Sequence, residues 1–382
     1  MPVDPPPLAV LTIEAAMQRA LALAEQSIAL SEPNPRVGCV IVDAQGRLLG
    51  EGHTREAGGP HAEIVALRDA AARGARVEGS TVVVTLEPCS HHGRTPPCAD
   101  ALVAARVGRV VMAIEDPNPL VAGSGAERLR AAGIAVETAG DALAAAAREL
   151  NVGFFSRMQR GRPWVRLKAA ISLDGRTALP DGRSQWITGL EARTDGHAWR
   201  RRAGAVLTGV GTVLDDDPRL DVRLVPTPRQ PLRVLVDSRL DAPLRARLMQ
   251  PPGQVLVYAA GPTTDRREAL EAAGIEVADM ASSTGKVDLA AMLADLARRG
   301  VNELHVEAGH KLNGSFVREG LVDEWLVYMA PKLLGVGREL ALFGPIAGLD
   351  AAPRLRFDSV TQIGDDLRIL ARPLAAEHAT PR

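Results

Sequence analysis

The sequence predicts two consecutive α/β domains, over residues 8–155 and 162–375. Three observations carry this. A chain of 382 residues with 46% hydrophobic and 24% charged side chains has material for two buried cores at about 150 residues per domain. Short apolar runs alternate with segments of helical periodicity in both halves, the pattern of layered α/β architecture. An Arg-rich stretch over 156–163, containing Gly161 and Pro163, separates the two series.

In the first half Thr12 stands where a helix cap belongs, ahead of Ile13, Met17, Leu21, Ala24 and Ile28 at helical spacing over 12–30. The turn Ser31-Glu32-Pro33-Asn34-Pro35 ends that helix. Strands over 37–42 and 47–50 flank Asp43-Ala44-Gln45-Gly46, a hairpin with a four-residue loop. A helix over 61–73 follows, then a continuous apolar strand over 81–86, a cysteine-bearing loop, a helix over 97–105 and a strand over 109–114. A helix over 126–132, a strand over 134–137 and a helix over 141–151 complete the series.

The second half restarts with a strand over 164–171 and shows others over 205–208, 233–236, 254–258, 303–306 and 324–329, with helices between several of them. Residues 225–231 form a Pro-rich surface loop. Gly209-Val210-Gly211 reads as a tight turn after a strand. With no full Gly-x-Gly-x-x-Gly turn followed by an acid, and no P-loop, a Rossmann dehydrogenase is disfavoured.

A net charge of -1 leaves no basic field to attract polyanions, and 3% aromatic residues leave little for base stacking. Nucleic acid is therefore not an expected partner. The first eight residues are Pro-rich and acidic, and no run approaches the roughly 18 apolar residues of a membrane span. A soluble, cytoplasmic protein is expected. Cys39, Cys89 and Cys98 make a poor disulfide framework. Cys39 lies inside an apolar run and reads as core, whereas the other two lie near histidines and point to a metal.

His61-Ala62-Glu63 opens one helix, Pro88-Cys89 ends a buried strand and Cys98 starts the next helix. This is the zinc-deaminase pattern of His-x-Glu followed by a Pro-Cys pair. One imidazole and two thiolates bind Zn²⁺ while leaving a position for water. Glu63 is then the acid/base that takes the proton of the water and returns it to the departing amine. Eight residues (90–97) separate the two cysteines where the short pattern has two. His91 and His92 lie in that insertion, either as solvated or substrate-facing loop residues or as rival ligands.

At this point the residues resemble a family. Pro33-Asn34-Pro35-Arg36-Val37-Gly38-Cys39-Val40, Gly52-His53, Gly59-Pro60-His61-Ala62-Glu63 and Glu87-Pro88-Cys89-Ser90-His91-His92-Gly93-Arg94-Thr95-Pro96-Pro97-Cys98 are similar to the deaminase half of the bifunctional riboflavin-biosynthesis deaminase/reductases. Leu167-Lys168-Ala169-Ala170-Ile171-Ser172-Leu173-Asp174-Gly175-Arg176-Thr177-Ala178, Ser184-Gln185-Trp186-Ile187-Thr188, Gly211-Thr212-Val213-Leu214-Asp215-Asp216-Asp217-Pro218 and Ala330-Pro331-Lys332-Leu333-Leu334-Gly335 resemble the reductase half.

The resemblance implies a cytidine-deaminase-like three-layer N-terminal domain and a dihydrofolate-reductase-like C-terminal domain. It implies hydrolytic removal of the 2-amino group of 2,5-diamino-6-(5-phosphoribosylamino)pyrimidin-4-one, then reduction of the ribosyl group to ribityl with NADPH. Carried over by position, Asn34 seats the pyrimidine. Ala170, Trp186, Thr212, Asp216, Ser238, Gly309, His310, Lys311, Leu312, Asn313, Gly314 and Ser315 contact NADPH. Ser184, Arg200, Leu220, Arg223 and Glu307 contact the substrate.

Arg200 and Arg223 have the fork geometry to grip its phosphate. Glu307-Ala308-Gly309 departs from the Glu-Gly-Gly of the family, and Asp174 reads as closing the turn Leu173-Asp174-Gly175. A homo-oligomer is implied only by the resemblance. The competing reading is a nucleoside or nucleic-acid deaminase carrying a non-catalytic C-terminal binding module.

Overall fold

In the computed structural model, which describes residues 10–91, 96–119, 121–262 and 264–374, the chain divides after Gly161 into two units. The division falls beyond residue 155 because a helix, Val152–Arg160, continues the first unit across the expected boundary and buries Phe154 and Phe155 in its core.

The first unit begins with α1 (Ile13–Glu25), whose cap Thr12 accepts a hydrogen bond from the Ala15 N–H at 3.1 Å. The helix ends before residue 30, the following residues forming turns. Next come β1 (Gly38–Val42), β2 (Leu48–His53), α2 (Ala62–Ala72), β3 (Thr81–Val84), α3 (Cys98–Ala104), β4 (Arg109–Met112), α4 (Ser124–Ala131), β5 (Ala135–Thr138), α5 (Asp141–Leu150) and α6 (Val152–Arg160). The sheet order is β2-β1-β3-β4-β5. β1 is antiparallel to both neighbours, and β3, β4 and β5 are parallel.

Period-two alternation gives every inner strand two buried faces. Cys39, Ile41, Val82 and Val84 point into a core with α2, α3 and α4, while Val40, Val42, Val83 and Val111 point into a second core with α1 and α5. This makes three layers.

The second unit contains β6 (Trp164–Ser172), β7 (Arg176–Ala178), α7 (Leu190–Arg202), β8 (Ala205–Gly209), α8 (Val210–Asp216), β9 (Leu232–Val236), β10 (Val255–Ala259), α9 (Thr264–Ala272), β11 (Glu276–Asp279), α10 (Leu289–Arg298), β12 (Glu303–Val306), α11 (His310–Arg318), β13 (Glu324–Ala330), β14 (Arg338–Glu339), β15 (Leu355–Ile363) and β16 (Asp366–Pro373). Nine strands form one sheet, β11-β10-β9-β8-β12-β6-β13-β16-β15. It is parallel from β11 to β13, and β16 and β15 then add as an antiparallel hairpin.

The parallel strands bury both faces. Leu207, Val234 and Leu256 meet α10 and Phe316 of α11 on one side, and Val206, Leu235 and Val257 pack with Leu248 and Leu270 on the other. Beneath the sheet end, Arg166 is fully buried between Glu303 (2.9 Å) and Glu324.

Candidate active sites

In the first unit His61 is the N-cap of α2, Cys98 is the first residue of α3, and Cys89 follows the end of β3. Their donor atoms lie within 4.8 Å of one another. His61 Nδ1 is 3.5 Å from Cys89 Sγ and 3.4 Å from Cys98 Sγ. A tetrahedral zinc with Zn–S near 2.3 Å and Zn–N near 2.0 Å separates sulfur from nitrogen by about 3.5 Å, so the residues fit that ion.

The two thiols cannot both ionise without a cation between them. Hydrogen bonding from Cys98 and His61 brings Cys89 down to about 4. The hydrogen bond to Cys89, burial and the nearby Glu63 push Cys98 up. Glu63, in the first turn of α2, is 3% exposed. Burial and the Cys89 sulfur raise its carboxyl to about 7, and it hydrogen-bonds the Cys98 thiol.

A carboxylate that the sequence reading missed holds this loop. Glu87, two residues before Cys89, accepts backbone N–H groups from Asp116 (3.1 Å), Gly123 (3.0 Å), Gly125 (2.9 Å) and Ala126 (3.0 Å). Gly125 is required there, because a Cβ would lie 1.9 Å from the Pro88 carbonyl oxygen. Asn34 is half-buried in the turn between α1 and β1, and no hydrogen bond to its side-chain amide is found among the described residues. Cys39 is fully buried, as its apolar run requires. His91 is exposed and outside the metal-ligand triangle, and His92 lies outside the described residues.

In the second unit a cleft of about 1640 Å³ opens between α7, α8, the β12–α11 junction and the loop after β7. Ala170, Trp186, Thr212, Asp216, Ser238, Gly309, His310, Lys311, Leu312, Asn313 and Ser315 line it, together with Ser184, Arg200, Leu220, Arg223 and Glu307. Gly314 and Arg200 stand apart from the rest. Gly314 is not among the lining residues: it packs under Leu342, whose carbonyl oxygen would sit 1.8 Å from a Cβ. Arg200 does not offer a free fork, because Nε and Nη2 pair with Glu307 (Nη2 at 2.9 Å) and Nη1 donates to the Asp221 carbonyl at 2.9 Å.

Glu307 is the hub of this wall. Lys168 Nζ approaches it to 3.5 Å and His305 Nε2 to 3.3 Å. Burial opposes its ionisation, yet Arg200 and Lys168 hold its carboxyl well below the usual range. Lys168 gave no sign of this role in the sequence because its partner Glu307 lies far along the chain. Trp186 is 57% exposed on the cleft, with the Arg193 guanidinium 4.1 Å from its ring centre, and so is not core. Asp174 does more than close its turn: it accepts the N–H groups of Leu334 (3.0 Å) and Gly335 (2.7 Å), tying together two of the motifs.

The cleft suits a dinucleotide. Its volume exceeds the roughly 300–1,000 Å³ of a pocket for one small ligand. Gly309 caps α11 without any side-chain hydrogen bond, and Gly309, His310 and Lys311 line the cleft at that helix N-terminus, the kind of backbone site that suits a phosphate.

Comparison with known proteins agrees with both halves. Residues 11–114 match the family of the cytidine and deoxycytidylate deaminase zinc-binding region, and residues 163–369 match the RibD C-terminal domain. The chain is 44% identical over 364 residues to the riboflavin biosynthesis protein RibD of Escherichia coli (strain K12), covering 92% of this chain and 96% of that protein.

Among solved structures it is similar to Acinetobacter baumannii RibD (41% identity, TM-score 0.85, 95% and 99% of the two chains). It is also similar to a Thermotoga maritima diaminohydroxyphosphoribosylaminopyrimidine deaminase/5-amino-6-(5-phosphoribosylamino)uracil reductase (32% identity, TM-score 0.84, 95% and 99%). The first unit thus has the cytidine-deaminase-like fold and the second the dihydrofolate-reductase-like fold.

Proposed function

Because the chain belongs to the RibD family, the bifunctional zinc-dependent deaminases and NADPH-dependent reductases of riboflavin biosynthesis, we propose a division of its chemistry between the two sites. The N-terminal unit deaminates 2,5-diamino-6-(5-phosphoribosylamino)pyrimidin-4-one. The C-terminal unit reduces the resulting 5-amino-6-(5-phosphoribosylamino)uracil at its sugar. The observation that carries this reading is the His61–Cys89–Cys98 triangle with Glu63 buried against it, in one chain with a cleft sized for a dinucleotide and a second molecule.

His61, Cys89 and Cys98 would hold zinc, which would supply Lewis-acid activation of the attacking water. Glu63, kept near neutrality in its pKa by burial, takes the proton from that water as its oxygen bonds to C2 of the ring. It returns the proton to the amino nitrogen as the C2–N bond breaks and ammonia leaves. Asn34 offers an amide that both donates and accepts, suited to a pyrimidine edge.

In the second site NADPH supplies the hydride. Ribosyl becomes ribityl when C1′ gains that hydride, the C1′–O4′ bond breaks and O4′ gains a proton. The N-terminal amides of α11 and the side chains of Thr212, Asp216 and Ser238 position the cofactor. Ser184, Arg223, Leu220 and the Arg200–Glu307 pair position the sugar phosphate.

No helix among the described residues is long and apolar enough to cross a membrane, and the likeness to RibD of Escherichia coli supports a cytoplasmic enzyme acting on soluble intermediates. Phe357 (69% exposed) and Val360 (55% exposed) on the edge strand β15 support a homo-oligomer, which light scattering of the purified protein tests.

The decisive experiment is mass spectrometry of the diamino substrate incubated with zinc-loaded protein, with and without NADPH. Exchange of an amine for a carbonyl without NADPH, then gain of two hydrogens only with it, is the expected result. Deamination of cytidine or RNA with no action on the phosphoribosyl pyrimidine overturns the reading.

A further inference from the structure

The cleft holds a buried imidazole that the proposed chemistry leaves unused. His197, on α7, is 4% exposed and lines the cleft one helical turn from Arg200. Its Nδ1 accepts the backbone N–H of Arg223 at 3.2 Å. An imidazole that accepts at Nδ1 carries its proton on Nε2, and among the described residues Nε2–H has no hydrogen-bond partner. Burial, aided by Arg200 and Arg223, pushes the ring's pKa down to about 3, so the ring is a neutral donor throughout the physiological range.

The charge around it selects the acceptor. Arg200, Arg223, Glu307 and Asp221 act on the ring directly, and Lys168 and Arg219 pair with the same two carboxylates, so this ion-pair cluster holds four cations to two carboxylates, an excess of two positive charges. A phosphate monoester near neutrality carries between one and a half and two negative charges, roughly the complement of that excess. Arg200 has spent its fork on Glu307 and Arg223 has Nη1 on Asp221 at 2.7 Å. A dianion arriving here therefore needs another donor, and the partnerless Nε2–H is beside it.

We infer that His197 is a substrate-binding residue of the reductase site, donating Nε2–H to a phosphate oxygen of the phosphoribosyl substrate and so setting preference for phosphorylated over dephosphorylated sugar. The inference rests on the reductase reading of the cleft. NADPH also carries a phosphate monoester, at its 2′ position, and the test separates the two.

The test is His197→Asn, whose shorter side chain keeps an acceptor for the Arg223 N–H and removes the Nε2–H donor. Reduction of 5-amino-6-(5-phosphoribosylamino)uracil and of its dephosphorylated counterpart is measured with NADPH and with NADH. The expected outcome is a fall of about tenfold in the kcat/KM preference for the phosphorylated substrate, the scale of one hydrogen bond to a charged group. The NADPH over NADH ratio stays constant, and His197→Gln, which restores a donor near the Nε2 position, recovers part of the preference.

Equal losses on both substrates reduce His197 to a tether for Arg223 and overturn the proposal. So does an unchanged preference, or a change in the NADPH over NADH ratio instead. Wild-type protein run in parallel separates the failures: absence of wild-type turnover removes the reductase reading itself, whereas wild-type turnover with an unaltered preference in the variant removes only the role of His197.

Discussion

In the N-terminal unit three donor atoms are gathered within 4.8 Å and the acid/base residue is buried against them, while in the C-terminal unit the polar groups are spread around a cleft of about 1640 Å³. The difference follows from who carries the chemistry. A catalytic metal demands fixed donors at bond length, so the protein must converge its side chains. A nicotinamide cofactor brings its own reactive carbon, so the protein is left to position two molecules and balance their charge. The first site is therefore brittle and local, and the second is distributed, its wall held by the Glu307 ion-pair network.

The largest test of that contrast is Glu63→Gln. Loss of the acid/base group is expected to lower ammonia release by about 10²–10⁴-fold, with zinc content by atomic emission and reduction of supplied deaminated intermediate both retained. Undiminished ammonia release ends the assignment of Glu63.

Next is Glu307→Gln, which removes the one carboxylate that Arg200, with a side chain only 13% exposed, pairs with directly, leaving Asp221 to act on it at longer range. Breaking one member of a buried pair costs about 3–5 kcal/mol. The loss should be read as a lower Tm of the C-terminal unit and lost NADPH oxidation, with ammonia release unaffected. A fall in ammonia release of the same size means that the two sites are not independent.

Glu87→Ala comes third. Removing the shared acceptor of four backbone N–H groups is expected to cost about 1–3 kcal/mol, and zinc should be stripped by a chelator at lower concentration than from wild type. Unchanged chelator sensitivity means that the loop before Cys89 holds itself.

The smallest effect is at the exposed Asp174. Hydrogen bonds from the Ser172 hydroxyl and the N–H groups of Leu334 and Gly335 lower its pKa from 3.8 to about 2. Because the folded value is the lower one, this stabilisation is full above about pH 4 and fades as pH falls through 2. The Tm difference between wild type and Asp174→Asn should accordingly be largest near neutrality and vanish in acid, and a difference that persists at pH 2 contradicts the assignment.

The same contrast explains what could be read from the sequence. The metal ligands and Glu63 lie within short motifs, and the inner strands announce themselves because both faces are buried, as in Val82, Val83 and Val84. The hairpin β15–β16 went unread because its outer strand is mostly exposed and carries no clean apolar alternation. Helix α6 was hidden by its arginines, although Phe154 and Phe155 anchor it. Glu87 left no signal because its partners are backbone groups 29 to 39 residues away. His197 left none because its meaning depends on Arg223, 26 residues on.

The clamp at Glu87 has a consequence for the dynamics of the first site. The amides of Asp116, Gly123, Gly125 and Ala126 all end on one carboxylate two residues from Cys89, so any opening of the metal loop that moves Glu87 exposes them to solvent. An ion held by Cys89 stabilises the closed form in proportion to its occupancy. Hydrogen exchange at these four amides should therefore slow as zinc is added, making a segment that contributes none of the three metal ligands a reporter of whether the site is filled.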